Sequence, residues 1–365
     1  MSRPGNEQKK PFIHMVKRDA LSSQKQWLIR GIALMGALLA GALLILSLGH
    51  NPLAVYRDML VGALGTPTVR RETVKIAVPL LITAIGISLA FKMQFWNIGA
   101  EGQALMGAVC AGYFAFFQYD SMPRLVLIPV MMLAGMAGGG LYGLIPALFK
   151  AKWGTNETLF TLMLNYIALA FIKYLQNGPW KAPHSQFPKM SMLDDRARLT
   201  KVLGVHWGWI LALLLVVVAY FYFTRTKQGY EIAVVGESRD TARYAGINVS
   251  FVMIRTMVLS GAMAGLAGML QLTGADYTIT EGTAGGVGFT AITVAWMAKM
   301  NSFGMLAVAV FIAILERGSN KIQTTFKIPA SAAEVLTGLI LFFMLGCEFF
   351  INYKLVRSRG KEADA

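Results

Sequence analysis

Long apolar runs without a charged side chain recur along the whole chain, and a polypeptide built from them has few stable folds in water. The runs are 31–49, 76–91, 102–119, 125–149, 158–172, 202–224, 256–275, 282–298 and 300–315, with a last one at about 331–347 that contains Glu334. A helix that crosses a bilayer needs about 20 predominantly apolar residues, since every backbone group must be hydrogen-bonded inside the segment. The runs are continuous rather than alternating, which excludes a membrane β-barrel. Composition agrees: 55% of residues are apolar and 15% charged, where soluble domains carry about 25% charged. A soluble globule, a disordered chain and a disulfide-built secreted domain are excluded. The expected fold is an all-α integral membrane protein of about ten transmembrane helices. Runs well short of ~20 residues point to tilted, broken or partly re-entrant segments. The first run is longer than a signal h-region and lacks a small-x-small cleavage site, so it reads as an uncleaved anchor.

The 34 Lys and Arg against 19 Asp and Glu give +15. In a membrane protein that excess belongs to the cytoplasmic loops, and no aromatic-basic module points to nucleic acid. Placing the N-terminus inside and alternating puts the basic tail 1–30, Lys92, Lys150 and Lys152, the loop 225–249, Lys299 and the tail 351–365 in the cytoplasm. Both termini are then cytoplasmic, and the loop 177–206 is outside. The polytopic region is 31–350, and its topology permits two inverted five-helix halves. Cys110 and Cys347 lie in apolar runs and imply no disulfide framework. Glycines cluster at Gly135, Gly138, Gly139, Gly140 and Gly143 and again at Gly261, Gly265 and Gly268. Such spacings let helix backbones touch and are read as packing positions.

Catalytic and metal signatures are missing. There is no G-x-x-x-x-G-K-[ST], no H-E-x-x-H, no G-x-S-x-G and no Cys/His metal spacing. The four histidines, His14, His50, His184 and His206, are scattered. An enzyme is therefore not expected, and neither a metal site nor a cofactor of its own.

Four segments carry information. In 95–103, FWNIGAEGQ, the residues Asn97, Glu101 and Gln103 open an apolar run. Asn97 suits a cap, and a carboxylate at Glu101 meets the positive end of a helix dipole. The stretch is either a well-capped membrane helix start or a broken helix lining an aqueous path. Next, Asn156 suits the cap of a helix holding Glu157 and, two turns on, Asn165, an amide that needs a buried partner. In the loop 226–248, Ser238 or Asp240 starts a short helix ending at Gly246. Its mixed charges suit the docking of another subunit. Finally, the glycine-dense run 282–295, containing Phe289, implies a bent or unwound helix start.

Together these segments resemble a known family. The run Asn97-Ile98-Gly99-Ala100-Glu101-Gly102-Gln103 looks like the signature of permease subunits of bacterial ATP-binding-cassette importers, in the branch serving nucleosides and simple sugars. That branch is related to the ribose and branched-chain amino-acid permeases. Asn156-Glu157 with 161–168, TLMLNYIA, resembles its second signature. The loop Ala233-Val234-Val235-Gly236-Glu237 … Ala242-Arg243-Tyr244-Ala245-Gly246-Ile247 is similar to its coupling segment, and Gly288-Phe289 with Ile292 and Val294-Ala295 to its fourth. The order holds from about residue 30 to 350. One departure stands out: where the family usually continues Leu-Leu-Gly, this chain has Trp296-Met297-Ala298. The bulky Trp296 reshapes either the path or the dimer seam.

The resemblance implies a transmembrane subunit working by alternating access. Its implied partners are a separate ATPase that binds ATP and Mg, a second permease (a different chain favoured over a copy), a periplasmic or lipid-anchored solute-binding protein, and membrane lipid. It implies an ATPase-coupling set of Gly236, Glu237, Arg239, Asp240, Ala242, Arg243, Tyr244 and Gly246. The pathway or broken-helix set is Asn97, Glu101, Gln103, Glu157, Asn165, Phe289 and Trp296. The location is the bacterial inner membrane. Span interiors offer amides, hydroxyls and aromatic faces without dense charge, which suits a nucleoside or nucleobase first and a simple sugar next. The competing reading is a stand-alone ion- or proton-coupled transporter, which would need paired intramembrane acids or bases. Without a P-loop, the purified chain alone is expected to hydrolyse no ATP. Sustained phosphate release from contaminant-free protein would contradict that.

Overall fold

The computed structural model describes residues 13–17, 22–183 and 185–357; the remainder of both basic tails and His184 lie outside the described residues. In chain order the elements begin with β1 (Ile13–Lys17), α1 (Ser23–Ser47), α2 (Pro52–Leu64), α3 (Pro67–Lys92), α4 (Ala100–Phe117), α5 (Arg124–Trp153) and α6 (Glu157–Asn177). There follow β2 (Lys201–Val202), β3 (Val205–His206), α7 (Gly208–Arg225), α8 (Lys227–Glu237), α9 (Arg239–Tyr244) and α10 (Val249–Gln271), which runs into a π-helical turn, Leu272–Asp276. The chain closes with α11 (Val287–Met297), α12 (Ser302–Phe326), α13 (Ala330–Asn352) and β4 (Tyr353–Arg357). Among the described residues, eight helices are long and apolar enough to cross a membrane. The described residues form two compact units, one made of those up to Tyr56 together with those from Gln323 on, the other of those from Arg57 to Ile322.

In the first unit α1 packs along α13. Gly36 leaves room for the Phe343 ring, and Arg30 donates to the Glu348 carboxylate at 2.7 Å. Strand β1 pairs antiparallel with β4, Ile13 opposite Arg357 through Lys17 opposite Tyr353. The other face of α1 exposes Leu28, Ile32, Met35, Leu39 and Leu43. A helix apolar on both faces is one that meets protein on one side and lipid on the other.

In the second unit α10 lies at the centre, packed on α3, α4 and α5. The two glycine clusters of the sequence meet here. Gly261 and Gly265 of α10 lie against Gly139 and Gly135 of α5, and Gly107 of α4 faces Gly265. Apolar side chains gain nothing from leaving lipid for protein, so helices in a bilayer associate through close packing. Glycine permits it by removing the Cβ that would hold backbones apart. Local signals fix the helix ends. Thr66 caps α3 by accepting from Val69 N at 3.3 Å, with Pro67 next, and Asn248 caps α10 through Phe251 N at 3.0 Å. Gly154, at φ +66°, ends α5.

Several sequence boundaries move. The run 202–224 becomes helical only from Gly208, because residues 201–206 form a two-stranded hairpin turned at Leu203 and Gly204. Of the run 282–298 only Val287–Met297 is helical. At 1.5 Å per residue these eleven residues reach about 16 Å, half of a hydrocarbon core of ~30 Å. Helix α2 lies outside the uncharged runs, because it carries charges at Arg57 and Asp58.

Overpacking a tight core costs about 1–3 kcal/mol. A methyl group at Gly265 would lie 2.9 Å from Gly139 Cα, whereas one at Gly338 would meet nothing within 4 Å. Gly265→Ala is therefore expected to lower the melting temperature and the monodisperse yield of purified protein. Gly338→Ala should change neither; equal behaviour of the two would refute the close helix contact.

Candidate functional site

Between α3 and α4 the chain leaves helical geometry. Gln94 sits at φ +55° and the helix resumes only at Ala100. Amides freed in a low-dielectric core need protein partners, and the side chains of the signature run supply them. Asn97 Oδ1 accepts from Gly99 N at 3.1 Å and from Gln103 Nε2 at 3.2 Å. Asn97 Nδ2 donates to Gln103 Oε1 at 3.0 Å and to Ser260 Oγ of α10 at 3.1 Å. Helix α6 grips the same stretch. Asn165 accepts from Gly102 N and donates to Ile98 O, both at 2.9 Å, and Thr161 Oγ1 accepts from Ile98 N at 3.2 Å. Asn97, Gln103, Thr161, Asn165 and Ser260 are all buried. The cap position of α4 belongs to Gly99, not Asn97. Asn97 instead ties the run before α4 to its first turn and to α10.

Glu101, in the first turn of α4, reaches a second helix. Its carboxylate accepts from Gly286 N at 2.8 Å and Gly288 N at 2.7 Å, at the start of α11. Two amides and the positive end of a helix dipole meet the carboxylate, and among the described residues no cation pairs with it. Glycine is required at 288, where a Cβ would collide with the Ala100–Glu101 backbone, and at 286, where φ is +80°. Glu157 lies apart from this cluster, paired at 2.7 Å with Lys150 at the end of α5. Asn156 caps α6 through Leu159 N at 3.2 Å.

Phe289 and Trp296 are seven residues apart and stand on the exposed face of α11, whose other face buries Gly288, Ala291, Val294 and Ala295. Trp296 stacks on Trp96 with centroids 5.7 Å apart and planes 9° off parallel. Phe91 lies edge-on beneath both, at 5.2 and 6.2 Å. The indoles are 41% and 43% exposed, so this is an accessible aromatic face rather than core. The sequence placed Trp96 only inside a motif and gave no sign of its partner across 200 positions. Ser260, one hydroxyl in an apolar helix, carried no signal either.

The loop 225–249 is two helices. Ser238 accepts from Thr241 N at 3.2 Å and starts α9; Gly246, at φ +77°, follows its end. Ala242 is buried and fixes α9 to the body, while Glu237, Asp240, Arg243 and Tyr244 face outward and Arg239 is half-buried. Tyr244 is 93% exposed, and Arg243 pairs with Asp240 of its own helix at 2.9 Å. Helix α8 is anchored by Glu231, which pairs with Arg255 of α10 at 3.0 Å, and by Gly236, which lies against Lys92 and Met93 at the end of α3. Helix α8 thus touches the chain immediately before the run 95–103.

Residues 72–345 match the family model for the permease component of the branched-chain amino acid transport system. The chain belongs to this family. It is 32% identical to the nucleoside ABC transporter permease protein NupB of Lactococcus lactis over 91% of this chain and 94% of that one. It is 31% identical to the glucose ABC transporter permease protein TsgB13 of Haloferax volcanii over 93% and 94%, and 30% identical to the guanosine ABC transporter permease protein NupP of Bacillus subtilis over 91% and 97%. As a member with eight span-length apolar helices among the described residues, the protein is a multi-pass permease of the plasma (inner) membrane.

Replacing Glu101 by Gln leaves one acceptor oxygen and turns an amide group against a backbone N–H. Losing a buried hydrogen bond with an unmet donor costs about 1–3 kcal/mol. Glu101→Gln is expected to lower thermal stability clearly, and Glu281→Gln, which loses only the exposed pair with Lys173, hardly at all. Equal melting temperatures for the two variants would remove Glu101 from the role of α11 cap.

Proposed function

We propose that this permease is the transmembrane subunit of an ATP-binding-cassette importer, with α9 as the element that a separate ATPase subunit grips. The supporting observation is the contact of Gly236 with Lys92–Met93. It gives displacement of α8 and α9 a direct route to the clasp at 95–103, and through Glu101 to α11 with its exposed Phe289 and Trp296. Alternating access then amounts to rocking this linked set against a second permease, a different chain favoured over a copy. ATP and Mg belong to the ATPase. In this reading both tails, residues 1–30 and 351–365, and the loop 225–249 face the cytoplasm, and 177–206 faces a solute-binding protein outside. The region 31–350 is the permease body.

The favoured solute is a nucleoside or nucleobase, with a simple sugar next. Two relatives named for nucleoside or guanosine transport and one named for glucose support that order. The accessible face of α11 supports it too: stacked indoles and a phenyl ring suit a planar neutral base. The buried amides of Asn97, Gln103 and Asn165 already hold each other, the backbone or Ser260. They serve the frame rather than the solute.

Putting a wrong-sign charge into a desolvated contact costs about 2–5 kcal/mol, more than tenfold in affinity. Arg243→Glu is expected to cut co-purification of the ATPase with the full chain and to abolish uptake of labelled nucleoside, while membrane insertion stays normal. Full co-purification with normal uptake would take α9 out of the coupling role.

A further inference from the structure

At the opposite end of α3 the chain builds a groove with different chemistry. Arg70 and Arg71 lie one turn into α3, just before its uncharged run begins, and Trp209 lies in the first turn of α7, which packs against α3. Both spans begin at this level, so it is a membrane–water boundary, where Arg and Trp are the residues that bridge the two phases. Between them is a groove of about 270 Å³ lined by Arg70, Arg71, Val74, Leu203, Val205 and Trp209.

The hairpin β2–β3 forms one wall. Its two turn residues, Leu203 and Gly204, have φ +56° and +83°. That is the geometry in which Asn-Gly is usual and a bulky side chain is rare. The structure nevertheless holds a leucine there, and 78% of it is exposed. In water both features are unfavourable; against acyl chains the exposed leucine becomes a buried one. The Arg71 side chain lies over Gly204, filling the space a Cβ would take.

Charge is uneven at this boundary. Glu72 is paired with Lys75 at 2.8 Å, and among the described residues no acidic side chain pairs with Arg70 or Arg71. Burial, and the Lys75 ammonium, push His206 down to about 4, so it stays neutral at pH 7. The patch therefore presents two guanidinium groups beside an apolar channel. We propose that this groove binds an anionic phospholipid, its phosphate between Arg70 and Arg71 and an acyl chain along Leu203, Val205 and Trp209. Paired arginines match a phosphate by forked hydrogen bonds, and the apolar wall excludes a fully hydrated anion.

The test is native mass spectrometry of the delipidated full chain, incubated with equal amounts of phosphatidylglycerol and phosphatidylcholine bearing matched acyl chains. The wild type is expected to retain phosphatidylglycerol in preference. The pair Arg70→Gln with Arg71→Gln should reduce that preference about tenfold, and Arg70→Lys with Arg71→Lys should keep most of it. Leu203→Asn, which suits the turn better, should hold both lipids less well while leaving their ratio unchanged. The proposal is overturned by equal retention of the two lipids in the wild type. It is likewise overturned by a Gln pair that keeps the preference, a Lys pair that loses it as fully, or Leu203→Asn holding lipid like the wild type. Displacement of the lipid by excess inorganic phosphate alone would reassign the groove to a free anion.

Discussion

Inside a bilayer a broken helix must find partners for its own backbone, and the crossing from α3 to α4 is where this chain meets that demand. Water is not available to the amides of Ile98, Gly99 and Gly102, and each unmet group would cost several kcal/mol. Thr161, Asn97 and Asn165 accept from them in turn. With the Asn97–Ser260 bond they join three separate stretches of sequence and hold α4, α6 and α10 in fixed register. The Glu101 carboxylate extends the same logic to α11, a helix too short to cross the membrane and therefore dependent on being held at its start.

The glycine seam makes this possible. Side chains as short as Asn97 and Ser260 bridge two elements only when the backbones are close, and Gly107, Gly139, Gly261 and Gly265 allow that closeness. Packing and polar bonding are thus one design rather than two. A bulkier seam would separate the helices and strand the amides, and a core without the amides would leave the crossing unsatisfied.

The two ends of the second unit divide the chemistry. At one end α8 rests against the last turn of α3, with the Trp96–Trp296 stack close by. At the other, arginines and a tryptophan mark the boundary beside a hairpin whose tip is apolar. The first end sets Gly236 of α8 against Lys92 and Met93, directly before the polar run 95–103. The second carries apolar surface and arginine charge that no acidic side chain pairs with among the described residues.

Much was legible in the sequence because it depends on local chemistry. Uncharged runs fix which segments can be membrane helices. Asn156, Ser238 and Gly246 mark where helices start and stop, and glycine spacing marks where helices touch. The family was legible from 95–103, 156–168 and 233–247, since those polar residues have no place in ordinary apolar spans. What each polar side chain does was not legible. Asn97 reads locally as a cap, yet its amide pairs with Gln103 and Ser260, the latter 163 positions away. Glu101 reads as the acid of its own helix, yet it caps another, 185 positions on. Trp296 reads as a bulky departure, yet it has a stacking partner 200 positions back. The sequence by itself determined most of the helices, several of their ends and their membrane character, because spacing, propensity and hydropathy act within a turn or two. Only the tertiary structure decided the partners of the buried polar groups, because a hydrogen bond is chosen by distance in space, and that distance exists only once the glycine seam has closed.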